Sequence, residues 1–78
     1  MPKKKQTFAQ RLAALREKAG LTKNALAVLA GVAPIEISRF EQGLRPHGPT
    51  LRTAARLAGA LGGDLGLFEG LDWKGEAA

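Results

Sequence analysis

An all-α fold is predicted for this 78-residue chain by three features. Threonines stand directly before segments with helical apolar spacing (Thr7, Thr22 and Thr50), glycines stand directly after them (Gly20, Gly31, Gly62-Gly63), and the stretch Thr22–Gly43 writes two short helices and a turn. A hydroxyl at the N-cap accepts a hydrogen bond from an amide that the helix leaves unpaired, and glycine closes the far end in a left-handed conformation that other residues resist. The length allows one domain, and 45% hydrophobic residues suit a globular chain with a small core.

In the first helix Thr7 and Gln10 have capping-box spacing, Phe8, Leu12, Leu15 and Ala19 form one inward stripe, and Gly20 ends it. The second helix takes Thr22 as N-cap, with Leu21 and Leu26 spaced as a hydrophobic staple. Small Ala27 stands where a neighbouring helix must come close, and Gly31 where the turn needs a left-handed backbone. The third helix repeats the staple with Val32 and Ile37. Ala33 offers its N-cap no oxygen, but Pro34 is preset for the first helical position and Glu36 suits the helix dipole. Thr50 caps the fourth helix, whose Leu51, Ala54, Leu57, Ala58 and Leu61 are expected inward, and Gly62-Gly63 ends it. Residues 64–70 are ambiguous: Asp64 is a good N-cap, yet each glycine costs a helix about 1 kcal/mol, and the alternation also fits a short strand. A short fifth helix is the favoured reading, with Leu71 and Trp73 folding back onto the bundle. The expected organisation is a basic arm over 1–6, the domain over 7–73 and a frayed tail over 74–78.

Charge divides unevenly. Over residues 1–56 eleven Lys and Arg face Glu17, Glu36 and Glu41, a net of +8, whereas residues 57–78 carry Lys74 against Asp64, Glu69, Asp72 and Glu76, a net of −3. The basic part holds the two-helix stretch, as expected for a surface that meets a polyanion. An enzyme is not expected: the chain has one His, one Ser, no Cys and no Tyr, and no metal-site, P-loop or nucleophile-elbow spacing. No cofactor or metal is implied. Without cysteine nothing calls for an oxidising compartment, and with no apolar h-region after Met1–Gln6 and no run of about 20 apolar residues, a cytoplasmic address is expected.

Four blocks in order, Phe8–Glu17, Gly20-Leu21-Thr22, Ile37–Gly43 and Pro49–Thr53, resemble the phage repressor and Cro-like helix-turn-helix proteins, the XRE family. The resemblance covers nearly the whole chain. It implies a compact five-helix bundle like the DNA-binding domain of lambda repressor, binding a palindromic double-stranded operator as a homodimer to repress or autoregulate transcription. It also implies an ion pair between Arg16 and Glu41, structural in role.

On that reading Pro34, Ile35, Ser38 and Arg39 meet bases, and Ile35, Ser38, Arg39 and Gln42 share the face opposite Ile37 and Phe40. Arg39 is the candidate for bidentate contact with guanine O6 and N7, the alternatives being phosphate or solvent. Ile35 suits a thymine methyl or a protein contact. Thr22, Lys23, Gln42 and Arg45 are the phosphate candidates; Lys23 stands where the family commonly has Gln. Lys3, Lys4 and Lys5 form an arm that follows the DNA or simply keeps the chain soluble. His47 lies beside Arg45 in a loop longer than usual for the family. The rival reading is an antitoxin, in which the same bundle also holds a toxin through its acidic tail and Trp73.

Overall fold

The computed structural model describes residues 6–44 and 48–71. Helices α1 (Phe8–Lys18), α2 (Lys23–Ala30), α3 (Pro34–Glu41) and α4 (Leu51–Ala60) are followed by a 3-10 helix over Leu65–Phe68. Among the described residues no strand forms, so the domain is all-α.

The starts of the helices follow from hydroxyl chemistry. Thr7 accepts from the Gln10 amide while the Gln10 side chain accepts from the Thr7 amide, completing a capping box. Thr22 accepts from the Ala25 amide and Thr50 from the Thr53 amide. Helix α3 has no side-chain cap on Ala33 and begins on Pro34, which needs no amide partner.

The ends share one device. At Gly31, φ is +71°, and the next residue, Val32, turns its amide back to the Ala27 carbonyl at 3.0 Å. This closure satisfies a carbonyl at the end of α2 and sets the angle at which α3 departs. The same bond follows α1, α3 and α4, as Leu21 to Arg16, Leu44 to Arg39 and Gly63 to Ala58.

The core takes Phe8 and Leu12 from α1, Leu26, Ala27 and Ala30 from α2, Ile37 and Phe40 from α3, Ala54, Leu57 and Ala58 from α4, and Phe68 and Leu71 beyond it. Phe8 is its hub: its ring meets Phe40 edge-on at 6.1 Å and Phe68 at 4.7 Å, so the chain's beginning, middle and end meet around one side chain.

Three expectations are corrected. The fifth helix is a single 3-10 segment, because Asp64 accepts from the Gly66 amide only two residues on, with its carbonyl taking the Leu67 amide, which tightens the backbone below an α-helical turn. A Cβ on Gly63 would stand 2.8 Å from the Leu67 side chain, which would then have to shift. Leu51 is not inward but 44% exposed, because the inward arc of α4 is centred on Ala54, Leu57 and Ala58. Ala19 is exposed too, lying past the last turn of α1. Leu71 is buried, whereas Trp73 lies outside the described residues.

Candidate nucleic-acid interface

Helix α3 is held from behind before it presents anything in front. Arg16 of α1 donates from Nε to Glu41 Oε2 at 2.6 Å and from Nη2 to Glu41 Oε1 at 3.0 Å, and its Nη1 donates to the Leu21 carbonyl at 2.8 Å. The guanidinium thus clamps α1, the turn into α2 and the last residue of α3. The two side chains are 14% and 7% exposed. Bonding to Glu41 is the main influence raising the Arg16 pKa above its ordinary value, against the opposing effect of burial.

The front of α3 carries Pro34, Ile35, Arg39 and Gln42, all exposed, with Ser38 half-buried among them. Residues 35, 38, 39 and 42 recur at i, i+3, i+4 and i+7, so they form one row, while Ile37 and Phe40 point into the core. Ile35 is 56% exposed, an apolar side chain left largely open to solvent. Arg39 donates from Nη1 to Glu36 Oε1 at 3.1 Å, and their side chains are 46% and 28% exposed.

The start of α2 supplies a second group. Thr22 is exposed and Lys23 half-buried. The Thr22 oxygen accepts from Ala25, which leaves its hydroxyl proton for an anion; the first amides of α2 have no acceptor within their own helix. Arg45, His47, Lys3, Lys4 and Lys5 lie outside the described residues.

Two features went unread in the sequence. Arg11 donates from Nε to the Gln6 side chain and from Nη1 to the Leu67 carbonyl, both at 2.7 Å, so a basic residue of α1 anchors the 3-10 helix. Its spacing three after Phe8, on the flank of the inward stripe, was the available signal. Val28 and Leu29 leave the outer face of α2 apolar, at 78% and 61% exposure, though both fit a helix by propensity and nothing local distinguishes them from core residues. Among the described residues no cluster of His, Asp or Glu is arranged to hold a metal ion, and no helix is long and apolar enough to cross a membrane.

Two short helices joined at a left-handed glycine, the second braced behind and polar in front, make a helix-turn-helix. The match to the helix-turn-helix domain family runs over residues 7–68, and the chain belongs to that family. Its fold is similar to the DNA-binding domain of the P22 C2 repressor (1–76), solved in solution by nuclear magnetic resonance, with a TM-score of 0.74 and 25% identity over 87% of this chain and 88% of that one. It is also similar to part of apo-HppE, with a TM-score of 0.64 and 31% identity over 82% of this chain; the match spans 35% of HppE's length. No curated protein matches the chain significantly. The protein is thus a phage-repressor-like helix-turn-helix protein.

Proposed function

We propose that the protein regulates transcription by binding double-stranded DNA, with α3 in the major groove and two copies on a palindromic operator. The observation that carries this reading is the outward row of Ile35, Ser38, Arg39 and Gln42 on a helix clamped from behind by Arg16 and Glu41. A guanidinium and an amide on a rigid helix suit base edges, and an exposed isoleucine suits a thymine methyl. Thr22, Lys23 and the first amides of α2 then take phosphate, fixing the register of α3 without reading sequence. Arg45 and the arm of Lys3, Lys4 and Lys5 add positive charge from outside the described residues.

Salt dependence tests the reading. Two subunits with about three to five phosphate contacts each give a slope of log K against log salt of roughly −5 to −9, on half-sites about 34 Å apart. Affinity that is flat between low and moderate salt contradicts it.

The antitoxin reading has one observation in its favour: Val28 and Leu29 form an exposed apolar face that DNA binding does not use. A co-transcribed toxin gene whose product binds the protein, with binding lost in Val28→Asp, supports that reading; a neighbourhood without such a gene removes it.

A further inference from the structure

On the reading that α3 enters the major groove, we infer that Glu36 is a specificity-determining residue, which positions the Arg39 guanidinium for guanine and disfavours its use as a phosphate contact. Glu36 stands at the edge of the outward row, one turn before Arg39, and its Oε1 holds Arg39 Nη1 at 3.1 Å. Its side chain is the more covered of the two, 28% against 46% exposed. With Phe40, Gly48, Pro49, Thr50 and Thr53 it lines a crevice between α3 and the start of α4. The positive end of α4 favours a carboxylate there, and Glu36 has a further interaction besides the one with Arg39. The anion is therefore the fixed member and the guanidinium the one it orients.

Two consequences follow from that arrangement. With Nη1 engaged by Glu36, the guanidinium has other donors to offer a base, and its rotamers are restricted before DNA arrives, so less entropy is lost on forming a bidentate pair. The carboxylate also places a negative charge at the edge of a face that meets a polyanion. Any duplex that offers Arg39 only phosphate must approach that charge and compete with it, whereas guanine O6 and N7 are neutral acceptors. The same residue strengthens the right contact and penalises the wrong one, which is how specificity is gained at a cost in general affinity.

The test compares binding to the best duplex that the protein selects from a random-sequence pool with binding to a random duplex. Glu36→Gln should bind the random duplex about three- to tenfold more tightly, through loss of one repelling charge. Its preference for the selected duplex should fall about five- to twentyfold. Glu36→Asp keeps the charge but shortens the reach, so preference should fall without tighter binding to random DNA. In an Arg39→Ala background, Glu36→Gln should still tighten random binding and should leave the preference unchanged. Thermal melts of each variant identify the folded fraction, to which the binding constants refer.

A preference that Glu36→Gln leaves within twofold of the unmodified protein, or that falls as much without Arg39 as with it, overturns the inference while leaving DNA recognition standing. An unmodified protein that binds neither duplex, or binds both alike, removes the recognition reading itself and the inference with it.

Discussion

Helix α3 takes part in two Arg–Glu pairs that differ in almost everything but composition. At its C-terminal end Glu41 receives two hydrogen bonds from Arg16, across 25 residues of chain, with both side chains nearly covered. In its middle Glu36 receives one bond from Arg39, three residues away on the same helix, and the guanidinium is nearly half exposed. The first pair ties three elements together. The second ties a helix to itself. A shielded pair that loses one member strands a charge away from water, whereas an exposed i, i+3 pair contributes only about 0.2–0.5 kcal/mol. Stability should therefore be read at Glu41 and recognition at Arg39.

The largest effect is expected at the clamp. Loss of one partner from a fully buried pair costs about 3–5 kcal/mol, and the slight exposure here puts Glu41→Ala near 3. A domain this small has little stability to lose, so DNA binding should decline in step with the folded fraction. Denaturant titration measures it, and a loss under about 0.5 kcal/mol would place the pair with ordinary surface salt bridges. Replacing both partners with apolar residues of similar volume should recover part of the loss. High pH is a poor way to open the clamp: the raised Arg16 pKa gives stability that is fully present below the unfolded value and lost only as pH rises through the folded one, above the ordinary arginine range.

Arg39→Ala is the next largest and should separate the two properties. Operator affinity falls by about 1–3 kcal/mol with preference relaxed at one base pair, while unfolding free energy moves by no more than about 0.5 kcal/mol. Equal weakening on every duplex would make Arg39 a phosphate contact and move readout to Ile35, Ser38 or the shape of the DNA.

Arg16→Lys sharpens the contrast further, since it keeps the charge and discards the planar fork. A cost of about 1–2 kcal/mol in a thermal or denaturant melt is expected, because a lysine cannot bond both Glu41 oxygens and the Leu21 carbonyl in that geometry. A neutral result would show that charge alone holds the helices together.

The smallest effect belongs to Lys23→Ala. It should weaken all sequences alike and reduce the magnitude of the salt slope by about one per subunit, without touching preference or stability. A change in preference instead would make Lys23 a reader of bases.

Much of this was legible because the helices announce their own ends. Thr7, Thr22 and Thr50 each need only a short-range amide partner, and Gly31 needs only its own backbone, so local chemistry was sufficient to place four helices. The misreadings arise where distant parts of the chain decide. Leu51 fits an inward spacing, yet which arc of α4 faces inward depends on where α2 lies. Gly66 and Gly70 count as losses to an α-helix, whereas the segment is held as a 3-10 turn by the Gly66 amide on Asp64 and by Arg11, which holds the Leu67 carbonyl from 56 residues away. The outward row on α3 follows from helical spacing alone. That Glu36 is fixed beside Arg39 follows from the crevice against α4, which no local pattern encodes.

The central claim, that α3 and the start of α2 meet DNA while the clamp stands behind them, is tested most directly by amide shift mapping. Uniformly labelled protein is titrated with a duplex selected from a random pool, and backbone amide resonances are followed to saturation. The largest changes are expected over residues 22–24 and 35–42, with the side-chain signal of Arg39 Nε among those that move and that of Arg16 Nε unchanged. Changes centred on Val28 and Leu29, or on the outer face of α4, with residues 35–42 unmoved, would contradict it.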